Sequence, residues 1–178
     1  MTTLILLDRD GVVNFDSKDY IKSVDEWEPI PGSLEAIVAL KNGGYRVAVC
    51  TNQAGIGRGI FTLEDLATIH EELRNALSSL GGYLDGLAFC PHHPDDGCRC
   101  RKPEPGMLVD MMVDLNVTAA DTVFVGDSLK DVEAAYAAGC EAVLVRTGNG
   151  KKAEREAAAL GAVVFDDLRA FSRATLKN

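Results

Sequence analysis

The sequence predicts an α/β fold: a three-layer, Rossmann-like open parallel sheet with helices on both faces and no large cap domain. Three observations predict it. Short apolar runs recur along the chain, longer amphipathic stretches separate them, and the chemically unusual residue clusters fall at the carboxyl ends of the apolar runs. Strands that are apolar throughout need cover on both faces, which parallel strands joined by helical crossovers provide. In sheets of that kind ligands sit beyond the carboxyl ends of the strands.

The elements follow in order. Leu4–Leu7 reads as the first strand, and Pro31-Gly32 opens a helix over Ser33–Asn42. Tyr45–Cys50 is the next strand. The longest helix covers Thr62–Leu80: Thr62 caps it, Asp65 sits three residues on, and Leu63, Leu66, Ile69, Leu73 and Leu77 form its apolar stripe. His70 is placed off that stripe, at the surface. Gly86–Phe89 is a short strand, followed by an irregular Cys/His/Pro segment to Pro105. Gly106–Leu115 is a helix, Thr122–Val125 a strand, Leu129–Ala138 a helix ended by Gly139, and Ala142–Val145 a strand. A helix at about 151–160 and a strand at Ala162–Phe165 complete the pattern. No repeat, linker or low-complexity tract divides it, so residues 1–178 are expected to form one domain.

Composition bounds the function. Apolar residues make up 47% of the 178 and charged residues 25%, the balance of a folded globular chain. The net charge of −9 argues against sequence-independent nucleic-acid binding, which needs a basic face. A local site can still be positive on an acidic body, so an anionic small substrate stays open. No apolar run approaches the roughly 18 residues of a membrane span, and no membrane partner is expected. The start, Met1 to Asp8, reads as a strand rather than a signal peptide, and a cytoplasmic location is expected. Five cysteines, three of them between Cys90 and Cys100, favour metal over disulfides. No amphipathic stripe is left over for an interface, so a monomer is expected.

Three clusters carry chemistry. In Asp8-Arg9-Asp10-Gly11, an extended backbone points both carboxylates into one pocket. Val125-Gly126-Asp127 supplies a further acid at another strand end, with Asp131 one helical turn later. Crowded carboxylates are tolerable beside a cation, and a set like this suits Mg²⁺, a hard ion that also takes water and phosphate oxygens. Thr51-Asn52-Gln53 follows the second strand and offers a hydroxyl and amides to phosphate oxygens. Arg101-Lys102-Pro103 places two positive charges in a loop stiffened by proline, which favours anion binding.

The segment Cys90-Pro91-His92-His93-Pro94-Asp95-Asp96-Gly97-Cys98-Arg99-Cys100 reads separately. Cys90, Cys98 and Cys100 with one imidazole can close a tetrahedral Cys₃His zinc site over a loop of residues 90–103. His92 is preferred as the fourth ligand, with His93 the spare. Four protein ligands leave no open position, so this Zn²⁺ is structural. Cys50 and Cys140 sit in apolar contexts and read as core.

Asp8-x-Asp10-Gly, the strand-end Thr51, Lys102 and Gly126-Asp127 resemble, in order, the four motifs of the haloacid dehalogenase superfamily of phosphatases, over residues 4 to about 147. That resemblance implies Asp8 as nucleophile, Asp10 as general acid–base, and Mg²⁺ held by Asp8, the Asp10 carbonyl and Asp127. It implies Thr51 and Lys102 as the groups that fix the transferring phosphoryl. Cys-Pro-His-His-Pro followed by Cys-x-Cys-Arg-Lys-Pro-x-Pro-Gly-Met, residues 51–59 (TNQAGIGRG) and residues 145–148 (VRTG) are similar to the zinc-bearing D-glycero-D-manno-heptose 1,7-bisphosphate 7-phosphatases, and the related histidinol-phosphate phosphatases share the cysteine loop closely. On that likeness the C7 phosphate of a sugar bisphosphate is removed, a step toward activated heptose for surface polysaccharide such as lipopolysaccharide. Asp16, Asp19, Tyr20, Asn52, Gln53, Ala54 and Ser128 would then border the substrate, and Arg101 would meet the retained phosphate. Ser128 stands where enteric members often carry Lys, with Lys130 nearby, and the loop Asn14–Tyr20 is one residue longer.

With so little chain between the motifs there is no room for a large lid. The site is expected to be open, walled by the zinc loop and the Phe15–Trp27 segment. Gly55-Ile56-Gly57-Arg58-Gly59 lacks the G-x-G-x-x-G spacing of a dinucleotide loop, and no G-x-S-x-G is present for a serine hydrolase. Two rivals remain: a phosphatase of histidinol phosphate or another small ester, and a non-catalytic zinc-stabilised binding domain. The presence of Asp8, Asp10, Thr51, Lys102 and Asp127 together speaks against the second.

Overall fold

The computed structural model describes residues 3–177. Of the start read as a first strand, Met1 and Thr2 lie outside the described residues. Six strands, β1 (Leu4–Leu7), β2 (Arg46–Asn52), β3 (Gly86–Cys90), β4 (Thr122–Gly126), β5 (Glu141–Val145) and β6 (Val163–Phe165), form one sheet in the order β3-β2-β1-β4-β5-β6, every pair parallel. This is the doubly wound order, whose direction reverses between β1 and β4. Leu7 lies opposite Val125 there, and the Asp8 N–H donates to the Val125 carbonyl at 2.9 Å. The chain therefore leaves β1 and β4 side by side, with Asp8 and Asp127 as the next residues.

Successive side chains alternate between the faces of the sheet, so each strand feeds two cores. Ile5, Leu7, Val47, Val49, Val123, Val125, Val143 and Val145 point to one side. They meet α1 (Ser33–Asn42), α3 (Leu63–Ser79) and α7 (Leu168–Thr175) through Ile37, Leu40, Ile69, Leu73, Leu77, Leu168 and Phe171. Leu4, Leu6, Ala48, Cys50, Phe124, Ala142 and Leu144 point to the other, against α4 (Gly106–Asp114), α5 (Leu129–Ala137) and α6 (Gly150–Ala159). Three layers result, as the sequence predicts. Cys50 and Cys140 are both buried in the second core.

The differences are informative. The sequence reading ends at the sixth strand, whereas the structure adds α7, capped by Asp167, whose carboxylate accepts from the Ala170 N–H at 2.7 Å. It also adds a single turn, α2 (Ala54–Gly57), directly after β2. In α3 the expected capping box is present: Thr62 Oγ1 accepts from the Asp65 N–H, and Asp65 accepts from the Thr62 N–H. Leu63, however, is exposed, and His70 is buried rather than at the surface. His70 lies four residues after Leu66 and three before Leu73, so it falls on the stripe once the stripe's width is allowed for.

Candidate active site

The site is built at the reversal point. Asp8 Oδ2 lies 2.9 Å from Lys102 Nζ, whose other partner is Asp131 Oδ1 at 2.7 Å. Lys102 is buried, and Asn52 holds its backbone from both sides: Asn52 Nδ2 donates to the Lys102 carbonyl and Asn52 Oδ1 accepts from the Lys102 N–H, each at 3.1 Å. Burial alone would lower the Lys102 pKa, but Asp131 and Asp8 outweigh it and hold the ammonium charged. Asp131 Oδ2 accepts from the Asp127 N–H, the Ser128 N–H and Ser128 Oγ, so its carboxylate is fully committed to this end of β4 and α5.

Asp127 fits where two glycines leave room. A Cβ on Gly11 would stand 2.2 Å from Asp127 Oδ2, and one on Gly148 would stand 2.1 Å from it; both glycines have positive φ. Asp127 Oδ2 accepts from the Asn149 N–H at 2.7 Å and from Asn149 Nδ2 at 3.3 Å. Burial first, then the Asp131 carboxylate, raises Asp127 to about 7. Asp8 is raised well above the usual carboxylate range by burial, with Lys102 opposing and Asp131, Asp127 and Asp10 adding to the rise. Carboxylate oxygens of Asp8, Asp127 and Asp131 lie within 4.8 Å of one another. Three crowded carboxylates with one ammonium among them are a set of hard oxygen donors that fits a divalent cation of the Mg²⁺ type.

Asp10 is clamped differently. Its carboxylate accepts from Arg9 Nε at 2.9 Å and Nη2 at 3.1 Å, from Asn14 Nδ2 at 2.9 Å and from Gln53 Nε2 at 2.9 Å. Gln53 Nε2 also donates to Thr51 Oγ1 at 3.0 Å, which ties the ends of β1 and β2 together.

Asp8, Asp10, Asp16, Tyr20, Thr51, Asn52, Gln53, Asp127 and Ser128 line one open cavity of about 510 Å³. Of the expected substrate-side residues, Asp19, Ala54 and Arg101 do not line it. Asp19 is exposed and Ala54 is buried. Arg101 opens instead on a second cavity of about 290 Å³ with Gly97, Cys98 and Glu104, where its Nη1 is buried without a hydrogen-bond partner among the described residues. Lys130 lines both cavities. The walls also differ from expectation. Asp16, Ser17, Tyr20 and Ile21 of the 15–27 segment line the larger cavity, but another part of its wall is α6 and its approach, through Asn149, Lys152, Ala153 and Glu156, and the loop of residues 90–103 lines the smaller one. Arg146, in the 145–148 segment, is spent on Glu154 and Asp166, at 2.7 and 2.6 Å. Sequence reasoning gave no role to Asn149 or Arg9; the only signal for Asn149 is its position beside Gly148 after a strand.

At the loop, the Sγ–Sγ distances are 3.5 Å for Cys90–Cys98, 3.3 Å for Cys90–Cys100 and 3.5 Å for Cys98–Cys100. His92 Nδ1 lies 3.5 Å from Cys90 Sγ and 3.2 Å from Cys100 Sγ. Four ligands about 2.0–2.3 Å from one Zn²⁺ in a tetrahedron stand roughly 3.3–3.8 Å apart, so the donor set fits that ion. His93 is not one of the four and accepts from the Asp95 N–H at 3.2 Å.

Comparisons with known proteins bear on this geometry. The HAD-hydrolase-like family model matches residues 99–171. The D-glycero-β-D-manno-heptose-1,7-bisphosphate 7-phosphatase of Pseudomonas aeruginosa is 49% identical over 175 residues, covering 98% of both chains. The enzyme of that name from Bordetella bronchiseptica is 51% identical over 149 residues, 84% of this chain and 83% of the relative. The chain belongs to the heptose 1,7-bisphosphate 7-phosphatase family of haloacid-dehalogenase-like hydrolases. Among solved structures of this family, the D,D-heptose 1,7-bisphosphate phosphatase from B. bronchiseptica, complexed with magnesium and phosphate, superposes with a TM-score of 0.95 at 46% identity and covers 99% of both chains. The corresponding enzyme from Burkholderia thailandensis gives 0.74 at 40% identity, covering 99% of this chain and all of the other.

Proposed function

We propose that this chain is a Mg²⁺-dependent phosphomonoesterase that removes the C7 phosphate of D-glycero-β-D-manno-heptose 1,7-bisphosphate, through an aspartyl-phosphate on Asp8. The observation that carries the reading is the position of Asp8: at the mouth of β1, 2.9 Å from a buried lysine, opening on the cavity that Asp10, Thr51 and Asp127 also line. Near-full-length likeness to relatives named for this substrate supports its identity.

A carboxylate oxygen of Asp8 attacks phosphorus while the bond from phosphorus to the C7 oxygen breaks. Asp10, aimed by Arg9, Asn14 and Gln53, gives its proton to the leaving alkoxide. It then takes a proton from the water that attacks the aspartyl-phosphate, which returns Asp8 and releases phosphate. Lys102 and Thr51 hold the phosphoryl oxygens against Asp8 throughout. Asp8, Asp127 and the Asp10 carbonyl would hold Mg²⁺. Bound there, the ion supplies the positive charge that keeps Asp8 and Asp127 ionised and neutralises the phosphoryl group. The retained C1 phosphate is assigned to Arg101, whose unpartnered Nη1 marks the smaller cavity, with Lys130 between the two sites. Cys90, His92, Cys98 and Cys100 would hold a structural Zn²⁺ that fixes the loop carrying Arg101 and Lys102. A cytoplasmic monomer feeding activated-heptose synthesis for lipopolysaccharide is the setting this reading implies.

The test is phosphate release with Mg²⁺ from both anomers of heptose 1,7-bisphosphate and from histidinol phosphate, with Asp8→Asn alongside. The expected result is preference for the β-anomer and no turnover by Asp8→Asn. A preference for histidinol phosphate would keep the chemistry and reject the substrate. Equal inertness of wild type and Asp8→Asn on all three would reject catalysis and favour a zinc-stabilised binding domain.

A further inference from the structure

Arg9, which aims Asp10, has a completely buried side chain. A guanidinium in that position needs a partner at each of its nitrogens. Nε and Nη2 are answered by Asp10. Nη1 is answered by His70 Nε2 at 3.2 Å, reaching across from the middle of α3. His70 is itself only 4% exposed, and its ring lies 5.8 Å from that of Phe89 on β3, centroid to centroid. A guanidinium can only donate, so Nε2 must accept and the ring's proton sits on Nδ1. The ring is also held neutral, because burial, then Arg9 and Arg74, depress its pKa to about 3.

We propose that His70 is a positioning residue for Asp10, acting through Arg9: it fixes the guanidinium fork, and the fork fixes the direction of the acid–base carboxylate. This rests on the reading of Asp10 given above. The other two donors to Asp10, Asn14 and Gln53, are neutral amides, and the Asp10 side chain is 20% exposed, so the charged fork of Arg9 is its strongest anchor. Without His70 the third arm of Arg9 faces the apolar interior unpaired, and the guanidinium turns to find another acceptor. A shift of about 1 Å in a proton-transfer group can cost on the order of a hundredfold in rate.

The experiment compares His70→Leu, His70→Gln and Asp10→Asn with wild type, each loaded with Mg²⁺. The substrates are the heptose bisphosphate and p-nitrophenyl phosphate, followed both at steady state and through a single turnover. His70→Leu is expected to lower kcat on the sugar phosphate by roughly tenfold or more with little change in KM. His70→Gln, whose amide oxygen can accept from Nη1, restores most of it. In the single turnover the His70→Leu defect shrinks for nitrophenolate, which leaves without needing a proton. Equal losses in the Leu and Gln variants, or on both esters, would overturn the proposal and leave His70 a packing residue. Unchanged activity in His70→Leu would do the same. If Asp10→Asn were fully active, the acid–base reading itself would fail, which separates the two outcomes. Should His70→Leu not fold, His70→Phe carries the same comparison with the ring volume kept.

Discussion

Lys102 sits between Asp8 and Asp131 with 1% of its side chain exposed, and its ammonium stands 5.0 Å from the centre of the Phe124 ring. Such a group costs more to remove than its pairing is worth, because the carboxylates it leaves behind are desolvated and facing each other. Lys102→Met is therefore expected to destabilise the metal-free protein by about 3–5 kcal/mol and to abolish turnover. Urea unfolding in chelator measures the first, and a midpoint within error of wild type would reject the buried-pair account. Mg²⁺ should recover part of the stability and none of the activity, since the ion replaces charge but not the hydrogen bonds to Asp8 and the phosphoryl group. At this scale the sequence was readable where chemistry and position coincide. Asp8, Asp10, Thr51 and Asp127 stand out as polar residues at or just past the ends of apolar runs, and Lys102 as one of two cations in a loop stiffened by proline. Arg9 and His70 do not: an arginine inside a charged tetrapeptide and a histidine in a helix look like surface, and only the packing of α3 over the mouth of β1 buries them.

The loop of residues 90–103 is the element that carries Arg101 and Lys102. Arg101 and Lys102 follow directly after Cys100, and the loop is tied back to β2 through the Gln53 N–H to the Cys90 carbonyl and through Asn52 to Lys102. A backbone run as polar as Pro94 to Arg101 has little apolar surface of its own to hold it. Of the thiols, Cys98 is opposed by burial but brought down to about 7 by hydrogen bonds from Cys100 and Cys90. Cys98→Ala is expected to lose bound zinc and to lower kcat, with the sheet intact: near-wild-type circular dichroism, zinc content near zero by elemental analysis, and faster proteolysis within residues 90–103. Full activity in the zinc-free variant would show that the loop does not hold Lys102 in place. This loop was legible because cysteines at that spacing have few other uses. Helix α7 was not. It carries only two large buried side chains, Leu168 and Phe171, over eight residues, too short a stretch to set a period. What fixes it is tertiary: Phe171 meets Phe165 edge-on at 5.6 Å, and Ser172 Oγ donates to the Ala36 carbonyl of α1.

The molecule as a whole carries a net charge of −9, and it concentrates part of that charge where its strands end. Asp8, Asp127 and Asp131 share one small space with Lys102 as their buried ammonium partner. The consequence for stability has a definite sign. Asp127 is raised to about 7 from an ordinary value of 3.8, so in the metal-free fold it prefers its proton. The stability it contributes is fully present below about pH 3.8 and is lost as pH rises through about 7. Asp8, raised in the same direction, adds to that loss. His70 works oppositely: depressed to about 3, it contributes stability above 6.5 that is lost as pH falls. The two trends overlap in any single pH curve, but subtraction separates them. A cation bound by Asp8 and Asp127 must displace their protons, whereas His70 is untouched by it. The difference in unfolding free energy with and without saturating Mg²⁺ should therefore grow as pH rises toward about 7, by up to about 1.4 kcal/mol per pH unit for each proton displaced, and the share due to Asp127 should level off above it. Urea titrations at several pH values measure that difference directly. A difference that stays flat across the range would mean that the carboxylates at the mouths of β1 and β4 are already ionised without the ion, and that their crowding is relieved by the protein alone.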